Sequence, residues 1–174
     1  GAGISVCFAN LLSSRIYGHS AFDQILMNRN IDIHQGRDRL FLASKKISEI
    51  LSRDFIRLVP EHSAEEMINI LSKADNSEGY IISPKGKLLG KINITALIRK
   101  KDKNKKPNES LYNKYLALIE DNSVLEAIDK VKDFVGESIP VINSKGDIVG
   151  IITESDLFAS LILAEKERNE EELG

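Results

Sequence analysis

One stretch of this chain repeats itself. Shifted forward by sixty positions, Ile56 to Ile98 falls without a gap on Leu116 to Phe158. Ser63 then meets Ser123, Glu66 meets Glu126 and Ile68 meets Ile128, while Lys85-Gly86 meets Lys145-Gly146. Gly90 meets Gly150, Ile92 meets Ile152 and Leu97 meets Leu157. Val59 with Ile119, Leu71 with Val131, Ile81 with Val141 and Leu88 with Ile148 are conservative matches. A register that keeps its glycines and its apolar pattern this long means two copies of one small supersecondary unit.

Each copy reads as strand, helix, strand, turn, strand, helix. Ile56 to Val59 is a short apolar strand stopped by Pro60, and Ser63 caps a helix with Met67, Ile68 and Leu71 on one face. Tyr80 to Ile82 and Leu88-Leu89 are strands around Pro84-Lys85-Gly86, a sequence suited to a tight hairpin. The second copy has Leu116 to Ile119, a helix from Ser123 and Ile139 to Ile142. Its turn is Asn143 to Gly146, with Ile148 to Ile152 and a closing helix from Asp156 after it. The fold class is therefore α+β. Neither copy has enough apolar surface to bury its sheet face alone, so the two are expected to pack about a pseudo-twofold axis, leaving two symmetric clefts.

Composition narrows the function classes. A hydrophobic content of 42% with 29% charged residues is ordinary for a globular protein, and a net charge of -2 argues against a general nucleic-acid binder. Cys7 is the only cysteine, which excludes an internal disulfide and fits a reducing compartment. The start at Gly1-Ala2-Gly3 carries no leader sequence and suggests a piece of a longer chain. His19, His34 and His62 have no metal-ligand spacing, Cys7 has no catalytic partner, and Gly86 and Gly146 read as turn glycines. No catalytic set and no metal site are expected. The run from Arg99 to Pro107 reads as a solvated, mobile connector, with a phosphate or anionic-lipid contact as the alternative.

At this point the copies resemble the CBS repeat. Copy two carries the likeness in Ser138-Ile139-Pro140-Val141-Ile142, in the turn through Gly146, and in Gly150-Ile151-Ile152-Thr153-Glu154-Ser155-Asp156-Leu157. Copy one adds the family's leading helix, Ile47 to Asp54. The resemblance implies a regulatory pair of β-α-β-β-α repeats and not an enzyme. It also implies homodimers.

A nucleotide site suits the second ending. The Asp156 carboxylate can accept hydrogen bonds from both ribose hydroxyls, while the Thr153 hydroxyl and a helix start can hold a phosphate. By resemblance the adenine slot lies against the other repeat, which points to Phe55 and to Asn76-Ser77. ATP, ADP or AMP is the expected regulatory ligand. Thr153-x-x-Asp156 equally fits a capping box that needs no ligand. Copy one departs from the pattern at Lys91, Asn93 and Ala96: Asn93 can still cap, but Ala96 offers a ribose nothing. One nucleotide per chain is expected.

Arg15 to Ile31, with Tyr17, Ser20, Phe22-Asp23 and Leu26, is similar to the connector that joins the last membrane helix of ClC chloride channels and transporters to their CBS pair. Residues 1–36 then read as a membrane-helix end and connector, 37–99 as repeat 1 and 100–110 as a basic linker. Residues 111–165 are repeat 2 and 166–174 an acidic tail. The opening run from Ala2 to Ile16 could also be an amphipathic helix docked on the domain. The expected function is a nucleotide-sensing module on the cytoplasmic face of a membrane, partnered by the transmembrane domain of its own polypeptide. The alternatives are a ligand-free dimerisation platform and a CBS pair from another transporter or a metabolic enzyme.

Overall fold

The computed structural model describes residues 37–74, 77–99, 104–107, 115–131, 134 and 136–172. The expected membrane-helix end and connector, Asn76, and most of the linker lie outside them. The elements are α1 (Arg37–Ser44), α2 (Ile47–Ile50), β1 (Arg57–Leu58), α3 (Ala64–Ser72), β2 (Glu78–Ile82), β3 (Leu88–Asn93) and α4 (Ile94–Ile98). They continue with β4 (Leu118–Ile119), α5 (Val124–Val131), β5 (Ser138–Ile142), β6 (Ile148–Thr153) and α6 (Glu154–Glu172).

The chain divides into two compact units, one built from Ile47–Asn122 and Gly136–Thr153, the other from Gly1–Lys46, Ser123–Val135 and Glu154–Gly174. The first holds both sheets, ordered β1-β2-β3 and β4-β5-β6. In each the short first strand runs parallel to the second and the hairpin is antiparallel. Glu78 pairs with Asn93 in one hairpin and Ser138 with Thr153 in the other, and the register slips at Ile81/Ile82 and at Val141/Ile142. The repeat thus extends to an irregularity that bends both sheets alike.

The hairpin tips meet across a twofold relation. Leu88 N–H donates to Gly146 O (3.1 Å) and Ile148 N–H to Gly86 O (3.3 Å), flanking a bridge between Lys87 and Asp147. The sixty-residue shift converts each bond into the other. Gly86 and Gly146 sit at φ 87° and 83°, a left-handed conformation that suits glycine in a tight turn. Between the sheets lie Phe55, Tyr80, Ile82, Leu88, Ile148 and Ile151. A second core places Met67 and Leu71 of α3 and Leu97 of α4 against Leu58, Ile81 and Ile92.

The helical unit packs α1 against α6 and α5. Leu157, Leu161 and Ala164 of α6 are buried at helical spacing, as are Val124, Ala127 and Ile128 of α5. Both repeats begin their first helix with a reciprocal cap. Ser63 Oγ accepts from Glu66 N–H (3.2 Å) while Glu66 Oε2 accepts from Ser63 N–H (2.7 Å). Ser123 and Glu126 do the same at 3.2 and 2.8 Å.

Three expectations need correction. The helix expected over Ile47 to Asp54 is a single turn, Ile47–Ile50, because Ser52 uses both of its backbone groups on Ile151. The closing helix starts at Glu154, ahead of Asp156. The linker's described residues do not fit a freely solvated connector: Lys105 O accepts the N–H of Ala64 (3.2 Å), one of the donors a helix start leaves over, and Pro107 is buried.

Candidate functional site

The second ending is where a strand hands over to a long helix. Thr153 closes β6 opposite Ser138, and Asp156 stands in the first turn of α6, a helix of 19 residues. Both side chains are half-buried. A helix start presents N–H groups without intrahelical partners and a partial positive charge, which favours an anion there. Asp156 belongs to the helical unit, and Thr153, Phe55 and Ser77 to the sheet unit.

Phe55 is 8% exposed and serves the core between the sheets. Its ring meets Tyr80 edge-on, with centroids 5.6 Å apart at 89°, and the Arg57 guanidinium sits 4.5 Å from its centroid. A base stacking on Phe55 would have to displace that guanidinium. Ser77 Oγ donates to Glu137 Oε1 (2.6 Å) and accepts from Asn93 Nδ2 (3.2 Å). Ser77 precedes Glu78, whose carboxylate reaches Ser138, the residue paired with Thr153. Ser77 and Thr153 are therefore joined through two intervening residues, and Asn76 lies outside the described residues.

The first ending is already occupied by its own side chains. Asn93 caps α4 through Oδ1, which accepts from Thr95 N–H (2.8 Å), and α4 has only five residues. Lys91 Nζ lies 2.7 Å from Glu78 Oε2 and also donates to Ser138 O. Glu78, 5% exposed, accepts from Ser138 N–H (3.1 Å) and Ser138 Oγ (3.0 Å). Tyr80 Oη then donates to Ser138 Oγ (2.6 Å), which completes a buried chain of polar groups between the sheets. Burial pushes the Tyr80 phenol well above its ordinary value, with Glu78 and Glu137 adding to the shift and the Ser138 hydrogen bond opposing it.

Sequence reasoning singled out Lys91 as a departure of copy one but missed Glu78 and Tyr80. A signal was present. Glu78 and Lys91 lie two positions out of register on facing strands, a diagonal pair within reach of long side chains, and repeat 2 has Ser138 and Ile151 at the same places. Among the described residues no cluster of histidine, cysteine or acidic side chains could hold a metal ion, and no helix is long and apolar enough to cross a membrane.

The CBS domain family model matches residues 113–163, the heart of the second repeat. An inosine-5'-monophosphate dehydrogenase of Methanocaldococcus jannaschii is 25% identical over 133 residues, which is 76% of this chain and 27% of that protein. The chain spans 27%, 45% and 56% of the length of three curated relatives that it matches. Among solved structures, a CBS domain pair/ACT domain protein of Thermotoga maritima superposes with a TM-score of 0.59 at 16% identity, over 68% of this chain and 98% of that one. The CBS domain of a bacterial CNNM/CorC family Mg2+ transporter, solved with ATP, gives 0.61 at 13% identity over 72% and 92%. At such identities the likeness is one of fold.

Proposed function

We propose that this chain, whose repeats fold as a CBS domain pair, is a regulatory module that binds one adenine nucleotide at its second ending and carries out no catalysis. The observation behind this is the asymmetry of the endings. Thr153 and Asp156 supply a hydroxyl and a carboxylate at the start of a 19-residue helix. The first ending has Ala96 in place of Asp156 and leads into a helix of only five residues. Asp156 takes the ribose hydroxyls, and Thr153 with the helix start takes a phosphate. The ATP held by the transporter CBS domain of the same fold supports this class of ligand.

The parent protein, in this reading, is a ClC-type chloride channel or transporter, on the strength of Arg15 to Ile31. The module then works as a homodimer at the cytoplasmic face of the membrane. The likeness to the CNNM/CorC family domain favours a second reading, in which the same module serves a divalent-cation transporter. A series of apolar spans of the ClC kind immediately upstream in the full-length polypeptide would select the first.

Calorimetric titration with ATP, ADP and AMP, run beside Asp156→Ala, tests the site. Binding of one nucleotide per chain, lost in the variant, is the expected result. No binding by either protein, with Asp156→Ala merely less stable, would make the module a ligand-free platform and Asp156 a helix-capping residue.

A further inference from the structure

The two hairpin tips of the sheet unit make one basic surface. They are Ser83-Pro84-Lys85-Gly86-Lys87 and Asn143-Ser144-Lys145-Gly146-Asp147, three lysines against one aspartate in a chain whose net charge is -2. The reciprocal bonds from Leu88 N–H to Gly146 O and from Ile148 N–H to Gly86 O hold the tips side by side. Lys85, Lys87 and Lys145 are exposed, and among the described residues none of their ammonium groups has an ion-pair partner. Asp147 is half-buried, and its carboxylate accepts from Asn143 Nδ2 (3.2 Å) within its own turn.

Each turn is closed from within. Gly86 N–H donates to Ser83 O (2.9 Å) and Gly146 N–H to Asn143 O (3.0 Å). Ser83 Oγ accepts from Lys87 N–H (3.1 Å), and Asn143 Oδ1 accepts from Lys145 and Asp147 N–H at 2.9 Å each. With these donors spent, the tips offer positive charge and not a cradle of N–H groups around one small anion. Neither tip has an arginine, the residue that grips a single phosphate or carboxylate through two parallel bonds. Lysine is a compact charge on a flexible stem, which suits a broad layer of monoanions better.

We propose that the paired hairpin tips are a docking surface for the anionic phospholipid headgroups of a membrane leaflet. The inference takes from the reading above only that the module works beside a membrane, and it is independent of the nucleotide site. Each lysine brought to such a surface raises the partition about fivefold. Turns that are already closed on themselves add little ordering cost.

Co-sedimentation of the whole chain with phosphatidylserine or phosphatidylcholine vesicles tests it, at about 20 mM salt, where screening is weak. Partition into phosphatidylserine alone is expected, falling as salt rises. Lys85→Gln with Lys145→Gln should lower it about tenfold or more. Asp147→Asn, which keeps an acceptor for Asn143, should raise it about threefold. Lys105→Gln with Lys106→Gln, in the linker, should change it less than the tip pair does. Wild type that stays in solution with phosphatidylserine, or sediments equally with phosphatidylcholine, overturns the surface. So does a tip variant that sediments like wild type, or a larger loss in the linker variant. Release by inorganic phosphate but not by chloride at the same ionic strength would make the tips a small-anion site and overturn the leaflet as partner. None of these outcomes bears on the nucleotide site, which its own titration decides.

Discussion

The two repeats share a strand register down to the same bulge, yet their last strands end differently. In repeat 1, β3 passes through a capping Asn93 into five helical residues, and a buried Lys91–Glu78 pair ties the strand to repeat 2. In repeat 2, β6 passes through Thr153 into a helix of 19 residues with Asp156 in its first turn. Positions that agree between copies are those that any such unit needs in order to fold: cap, turn glycine, sheet core. Positions that differ divide the labour. One ending has become an internal strut, and the other places Thr153 and Asp156 at the start of a long helix.

The strut offers the sharpest way to break this comparison. Lys91→Ile gives repeat 1 the residue of repeat 2 and strands the Glu78 carboxylate in a buried place. The expected cost is about 3–5 kcal/mol. Glu78→Gln with Lys91→Ile removes both charges while leaving an acceptor for Ser138, and should recover more than half of that loss. Urea unfolding measures both. Equal losses in the single and double variants would mean that packing, and not the ion pair, joins the repeats there.

Gly150→Ala comes next. Its methyl group would press on the Ser52 carbonyl, which is backbone and cannot swing aside, so a loss of about 1–3 kcal/mol is expected. Gly79→Ala is the matched control. Its methyl would meet Leu58 Cδ1 at 2.6 Å and Leu71 Cδ2 at 3.1 Å, both ends of flexible side chains, and it should cost less. A reversal of that order in thermal melts would sink the claim that β6 is built around its neighbour.

The caps sharpen the comparison where the repeats agree. Ser63→Ala and Ser123→Ala should each cost about 1 kcal/mol, in equal measure, by urea unfolding. The Ser63 cap also has an acid limit. Its backbone N–H, then its hydroxyl, hold the Glu66 carboxyl below the ordinary 4.5. A carboxyl whose folded value is depressed contributes fully above its unfolded value and loses the contribution as pH falls through the folded one. The advantage of wild type over Glu66→Gln should therefore be complete above the ordinary 4.5 and fade as pH falls on through the lower folded value. An advantage that persists unchanged into stronger acid would show that the carboxylate is not what holds the cap.

Much of this was legible in the sequence because it is local. The caps at Ser63 and Ser123, the turns at Gly86 and Gly146 and the hairpin strands each follow from a few adjacent residues read twice. What stayed hidden depends on distant partners. Nothing near Ser52 announces a bridge to Ile151, and nothing in a lysine-rich run announces that Lys105 O will meet Ala64 N–H. Helix α1 escaped for another reason: Leu40, Phe41 and Leu42 are consecutive and show no helical period, and Leu40 remains 71% exposed while Leu42 is buried. At the site, Thr153 and Asp156 were readable as a pair within one motif. Phe55 was not readable as core, since its burial depends on Tyr80 and Arg57.

The smallest effect is expected from the most literal attempt to equalise the repeats. Ala96→Asp restores the missing carboxylate to the first ending, yet it should leave the stoichiometry at one nucleotide per chain. Asn93 Oδ1 is held by Thr95 N–H, the helix behind it has only five residues, and Lys91 is held by Glu78 and Ser138. A ribose anchor without a phosphate seat gives little affinity, because the helix start and a hydroxyl are what meet the charge. Calorimetry of Ala96→Asp with ATP should show the wild-type stoichiometry. A second equivalent of ATP bound would mean that a single carboxylate separates the two endings, and that the strut plays no part in closing the first.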